Sequence, residues 1–230
     1  GLMPKTAPNI SGYEIAGHCL PAEQVGGDFF QYFARDGQLS LCIADVTGHA
    51  MEAAIPVVLF SGMLETQMES NPSLQTLFSS LNRSTHRILE ARTCVCFQMA
   101  QLDLEARTLR LGNAGCPYAY HYRAQMGEVV ELGIGAYPLG VKAETEYETL
   151  EIAIAAGDRV VFCSDGVVEA LGAEDEIFGY DRLVETIGKG GKEGLSANAL
   201  LKYITDVVGT FSASVPIGDD QTCVVLAVDE

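Results

Sequence analysis

The sequence predicts an α+β fold in which antiparallel sheets are covered by helices. Short apolar runs bounded by Gly, Asp and Pro read as strands, whereas two stretches with apolar residues recurring at three and four read as helix pairs. The two kinds of segment come in blocks: strands, a helix pair, many strands, a second helix pair and a last strand. That order lacks the regular strand–helix alternation of a doubly wound parallel sheet.

Taken in order, a lead containing Pro4 and Pro8 precedes apolar runs at 13–20, 29–33 and 39–46, with Asp36-Gly37 as a hairpin signal between the second and third. From Thr47 the period changes: Ala53, Ala54, Val57, Val58 and Leu64, then Leu74, Leu77, Leu81, Ile88 and Leu89, mark two helices. They separate at Asn71-Pro72, with Ser73 placed to cap the second. Strands resume at 93–103, 108–112, 117–122, 129–132 and 146–154, and Gly157-Asp158 turns into the almost wholly apolar run 159–164, which suits a central strand. Helices are predicted over 180–187 and 196–211, separated by a Gly/Lys loop at 189–194, and the final strand covers 222–228. No repeat or low-complexity linker divides the chain, so residues 1–230 read as one domain. The start at Gly1-Leu2-Met3 reads as part of a longer protein.

At 230 residues, 48% hydrophobic and 20% charged, the chain can bury a full core. Its 31 acidic residues against 14 Lys and Arg leave a formal charge of -17. A surface this negative repels a phosphate backbone, so nucleic acid and anionic membrane are poor partners. No apolar run reaches the roughly 18 residues of a membrane span, and the start has no signal-peptide pattern, so a cytoplasmic protein without membrane contact is expected. The seven cysteines are odd in number and sit in apolar stretches such as Leu41-Cys42-Ile43 and Phe162-Cys163, as buried free thiols do. Cys94 and Cys96 alone do not make a zinc site.

Four acidic sites share a local grammar, each at the end of an apolar run and beside glycine or another acid. They are Gly26-Gly27-Asp28, Ala44-Asp45-Val46-Thr47-Gly48, Ser164-Asp165-Gly166 and Gly218-Asp219-Asp220. Asp-Gly alone is most often a turn. A strand end, however, puts its Asp at the rim of a sheet, and glycine lets a carbonyl or ligand approach closely. Hard oxygen donors without His or Cys select Mg, Mn or Ca over zinc or copper.

These motifs, in this order, resemble the metal-dependent protein phosphatases (PPM, or type 2C) in their bacterial SpoIIE-like branch. Further landmarks are Leu20-Pro21-Ala22, Phe29-Phe30, His49, Asn113-Ala114-Gly115, Pro138-Leu139-Gly140, Val167-Val168-Glu169-Ala170 and Gln221-Thr222, so the resemblance spans nearly the whole chain. It implies two packed antiparallel sheets flanked by helix pairs, an α-β-β-α sandwich, with a binuclear Mn2+ or Mg2+ site. Carried over by motif, Asp45 bridges both ions, Asp165 and Asp219 complete one ion's protein ligands, and Asp28 with the Val46 carbonyl serves the other. Asp220, Gly27, Gly48 and Gly166 would support these ligands; from sequence alone Asp219 and Asp220 can exchange roles.

The resemblance also implies hydrolysis of phosphoserine or phosphothreonine on a protein, with a STAS-type anti-sigma-factor antagonist as the usual substrate of a partner-switching pathway. A sensor domain usually precedes such a domain, and a homodimer is compatible with it. His49, the histidine nearest a motif, is the candidate general acid for the leaving group; its alternative role is to cover the site at a helix start. His18, His86 and His121 read as surface or packing residues. The sequence departs from the family pattern at Gln31, where a carboxylate is usual, at Ala50, at Cys116 and in having no arginine close before Asp28. Competing readings are a catalytically silent regulatory module of the same fold and a calcium-stabilised β-sandwich; acids spread along the whole chain do not match a calcium loop.

Overall fold

A computed structural model describes residues 2–23, 26–47, 51–89 and 93–229, residues 51–53 by their backbone. In chain order come β1 (Tyr13–Leu20), β2 (Asp28–Arg35), β3 (Gln38–Val46), α1 (Met51–Met68) and α2 (Leu74–Ile88). Then follow β4 (Val95–Asp103), β5 (Thr108–Ala114), β6 (Ala119–Arg123), β7 (Glu128–Leu132), β8 (Leu150–Ala153) and β9 (Arg159–Cys163). The last elements are α3 (Asp165–Val168), α4 (Gly179–Lys192), α5 (Ala197–Phe211) and β10 (Gln221–Val228). The chain divides into two compact units: Gly1–Lys5, Glu23–Cys116 and Ile134–Ala153 form one, and Thr6–Ala22, Pro117–Gly133 and Ile154–Glu230 form the other. The α+β class with antiparallel sheets read from the sequence is what is found.

The first unit holds a five-stranded sheet in the order β2-β3-β4-β5-β8, antiparallel throughout. Its β2–β3 hairpin closes at Asp36 and Gly37, both with positive φ (46° and 78°), as a two-residue turn matched to strand twist requires. This turn sets the register so that Arg35 faces Gln38 at the closed end and Asp28 faces Asp45 at the open end. Alternation turns Phe29, Cys42 and Ala44 toward α1 and α2, where Phe60, Leu64, Leu77 and Phe78 complete the core. Ser73 caps α2 as its position predicts, its hydroxyl accepting from the Thr76 N–H.

The second unit holds the sheet β1-β10-β9-β6-β7, also antiparallel throughout. Chain order places β10, the last strand, between β1 and β9. Leu183 and Ile187 of α4 and Leu200, Ile204 and Val208 of α5 pack with Val161, Cys223 and Val225 of this sheet.

The structure corrects the sequence reading at three places. Helix α4 continues to Lys192 through the predicted Gly/Lys loop. The glycines there serve close packing: a Cβ on Gly190 would lie 2.5 Å from Leu200 Cδ1, and one on Gly191 2.5 Å from the Tyr122 ring. The predicted strand at 146–154 shrinks to Leu150–Ala153, whose partner residues in β5 number only four. His121 is neither a surface residue nor a simple packing residue: it is buried, and its Nε2 lies 2.8 Å from Asp158 Oδ2.

Asp158 is the hub of that corner, since its carboxylate also accepts from the Ala124 and Ala155 N–H groups. Burial alone would raise its pKa, but the His121 and backbone hydrogen bonds together hold it below the ordinary carboxylate value. A depressed carboxyl contributes stability that is present above its unfolded pKa and lost as pH falls through its folded one. Asp158→Ala should therefore cost about 3 kcal/mol in urea unfolding at neutral pH. The gap to the native chain should narrow in the acid range, below about pH 4.

Candidate metal centre

The four acidic motifs form two carboxylate pairs, one in each unit. In the first, cross-strand pairing sets Asp28 directly opposite Asp45 at the open end of the β2–β3 hairpin. Asp28 is buried, at 4% exposure, and Asp45 half-buried. Like charges directly opposite on neighbouring strands repel, and a cation between them removes that cost. The backbone beside them is drawn tight. The Val46 N–H donates to the Gly27 carbonyl at 3.2 Å, and a Cβ on Gly27 would stand 2.5 Å from the Val46 carbonyl oxygen and 3.3 Å from Asp45 Oδ1. Only glycine leaves that oxygen-lined space open. Thr47, just past β3, is itself pinned: its N–H and hydroxyl both donate to the Cys94 carbonyl, and its hydroxyl accepts from the Cys94 N–H.

In the second unit, β9 ends at Cys163 and the chain turns at Ser164 into the single turn of α3, which begins with Asp165. The sequence motif includes Ser164 beside Asp165 but gives it no role, and that role appears only in three dimensions. Ser164 Oγ donates to the Asp220 carbonyl and accepts from the Thr222 N–H, and the Ser164 N–H donates to the Thr222 carbonyl. This stitching holds the turn before β10 against the start of α3. It is so close that a Cβ on Gly166 would fall 2.1 Å from the Asp220 carbonyl oxygen.

Burial, and then the neighbouring negative charge of Asp219, raise the Asp165 pKa. Asp219 is exposed, with Oδ1 accepting from the Asp220 N–H, whereas Asp220 is buried and its Oδ1 accepts from the Ala22 N–H at 2.8 Å. The two acids thus differ in environment: Asp219 faces outward near Asp165, and Asp220 ties the turn to the segment after β1.

Among the described residues, no three His, Cys, Asp or Glu side chains form a ligand cluster. The acids converge in twos. Their donors are all oxygen, and each pair stands beside a backbone carbonyl cradle that any Cβ would fill, so the residues present suit a hard divalent ion such as Mg2+ or Mn2+. Gly48 and His49 lie outside the described residues.

The remaining landmarks shape the backbone. Asn113 grips the turn after β5, Oδ1 accepting from the Cys116 N–H and Nδ2 donating to its carbonyl. Gly115 there has φ +88°, with Pro138 filling the space a side chain would need. Leu139 exchanges both backbone hydrogen bonds with Val95, and the Gly140 N–H donates to Asn82 Oδ1. Gln31 is removed from the acids by strand alternation. It faces α1, where Nε2 donates to Ser61 Oγ at 3.0 Å, so the missing carboxylate at that position falls on the helix side of the sheet.

Two antiparallel sheets, each with its helices and each ending in a pair of acids on strand rims, define a domain of the type 2C protein phosphatase fold. The solved structure of the PP2C domain of SiaA from Pseudomonas aeruginosa matches 95% of this chain and 86% of its own, with a TM-score of 0.82 at 20% identity. The catalytic domain of the serine/threonine protein phosphatase PstP, solved with two manganese ions, matches 95% of this chain and 99% of its own, with a TM-score of 0.64 at 16% identity. The sequence profile of the stage II sporulation protein E (SpoIIE) family matches residues 35–229, and the chain belongs to that family. Among curated proteins, the phosphoserine phosphatase RsbU of Bacillus subtilis (strain 168) is 21% identical over 168 residues, 73% of this chain and 50% of RsbU. The chain thus spans half the length of that relative.

The two cradles yield a structural prediction. Gly27→Ala and Gly166→Ala should each lower the melting temperature of the metal-free protein by about 4 °C or more, because the new methyl group displaces a backbone carbonyl. Unchanged melting in both would show that the carbonyls have room to move.

Proposed function

We propose that this domain is a Mn2+- or Mg2+-dependent protein serine/threonine phosphatase. The observation that carries the reading is the pairing of Asp28 with Asp45 and of Asp165 with Asp219 beside glycine cradles, in a member of the SpoIIE family. In this reading Asp45 would help to hold both ions, Asp165 and Asp219 would hold one with it, and Asp28 with the Val46 carbonyl would hold the other. The ions, when bound, activate and orient the attacking water and offset charge on the phosphoryl group, so that no phosphoenzyme is needed. Gly27 and Gly166 keep the Val46 and Asp220 carbonyls in place, and Asp220 anchors the turn that presents Asp219. His49 donates a proton to the leaving serine or threonine oxygen.

The substrate we propose is a phosphorylated STAS-type regulator in a cytoplasmic partner-switching pathway, which the kinship with RsbU supports. The larger protein would carry an N-terminal sensor domain and could act as a homodimer. Among the described residues no helix is long and apolar enough to cross a membrane. The charge of -17 favours a substrate whose phosphosite has neutral or basic flanks.

Hydrolysis of para-nitrophenyl phosphate and of a phosphoserine peptide should require Mn2+ or Mg2+, cease with chelator and return when metal is restored. Asp45→Ala and Asp165→Ala should each lower kcat/KM by at least about 100-fold, roughly 3 kcal/mol of transition-state stabilisation. Absence of turnover with either metal would leave a regulatory binding module instead, and turnover indifferent to metal and to both substitutions would overturn the metal-dependent reading. His49→Ala should slow peptide hydrolysis far more than hydrolysis of the nitrophenyl ester, whose leaving group needs no proton; equal losses would remove the acid role.

A further inference from the structure

In the second unit a pocket of about 140 Å³ lies between α5 and the β1–β10 edge of the sheet. Its buried wall is apolar, made by Val167 of α3, Ile204 and Val208 of α5 and Cys223 of β10. Its mouth is formed by exposed residues, among them Leu20 and Gly209. Two features set it apart from a packing defect. Gly209 sits within the last turns of α5, where glycine costs a helix about 1 kcal/mol relative to alanine. No packing requirement accounts for it, because a Cβ there would meet nothing within 4 Å. In addition, the Ser212 hydroxyl lines the pocket, is shielded from solvent and has no hydrogen-bond partner among the described residues, an arrangement that is costly unless something supplies one.

We propose that this pocket is a binding site for a small uncharged aromatic molecule carrying one hydrogen-bonding group. The volume matches that of a buried apolar cavity of roughly 150 Å³ known to admit a benzene ring. The walls offer apolar contact, and the Ser212 hydroxyl accounts for one polar group on the ligand. The pocket is lined by no lysine or arginine that would pair with an anion. Glycine at 209 keeps the mouth clear for entry. The wall also belongs to segments that carry the second acidic pair: Val167 is on the same turn as Asp165, and Gln221, which lines the pocket too, directly follows Asp219 and Asp220. A molecule seated here therefore touches the backbone that positions those acids, whether or not the acids serve phosphate hydrolysis.

Benzyl alcohol titrated into the 230-residue chain and followed by amide chemical shifts tests this. Saturable shifts should centre on Val167, Ile204 and Ser212, with half-saturation near 1 mM, the order set by a ligand of about eight heavy atoms. Gly209→Leu should close the mouth and weaken binding at least about 10-fold while leaving the melting temperature unchanged or higher, since leucine favours the helix. Ser212→Ala should weaken benzyl alcohol several-fold and toluene hardly at all. Non-saturating shifts, shifts centred elsewhere, or equal affinity in the native and Gly209→Leu chains would overturn the proposal. None of these readouts depends on catalysis, so failure of the phosphatase reading leaves them intact.

Discussion

Repulsion between carboxylates is the constraint around which each half of this molecule is arranged. Two unit charges about 5 Å apart, at an effective dielectric near 20, repel by about 3 kcal/mol. That is a substantial fraction of the stability of a typical domain. A fold that places Asp28 against Asp45, and Asp219 close to Asp165, must hold these groups where they would otherwise separate. It does so with backbone. The hairpin turn at Asp36-Gly37 fixes the first pair through an eight-residue ladder, and the Ser164 hydroxyl stitches the second through Asp220 and Thr222. A divalent cation turns the same arrangement from a cost into an attraction, which is how a site can be built into a fold before it is filled.

The supporting contacts are mostly neutral hydrogen bonds to backbone, which keep their geometry without drawing negative potential away from the rims. Thr47 secures the chain just past Asp45, and Asn113 and Asn82 clasp neighbouring loops of the first unit. In the second unit a charged contact is the buried His121–Asp158 pair, placed at the far end of β9 from Asp165. Its acid meets a partner ring and two N–H groups, so this carboxylate is satisfied within the protein. Asp165, in contrast, meets only backbone N–H among the described residues and lies next to another acid. The two environments distinguish an acid that serves packing from one suited to a ligand.

Much of the strand and helix order was legible, because β2, β3, β9 and β10 carry apolar runs with turn residues at their ends and α2 and α5 carry a clear helical period. The acidic rims were legible for the same reason. What stayed hidden depended on distant partners. Gly190 and Gly191 look like helix breakers until Leu200 and Tyr122 are seen to need their space. His121 looks solitary because its acid is 37 residues away. Ser164 reads as an ordinary residue before Asp-Gly, and only the return of the chain at Asp220 and Thr222 gives its hydroxyl work. The Gln31 departure looks like a loss at the acidic rim, yet strand parity sends that position to the opposite face.

The placement of β10 bears on how the molecule is made. Asp28 and Asp45 belong to one hairpin and can meet as soon as β3 has left the ribosome. Asp219 precedes β10, which is translated after every other described element yet lies between β1 and β9. Until it arrives, β1 and β9 have open edges where it will sit, and such edges invite pairing with other chains. The second acidic pair therefore forms only with the strand that seals the sheet, so a nascent chain holds one pair of acids and cannot assemble the other until that strand is inserted.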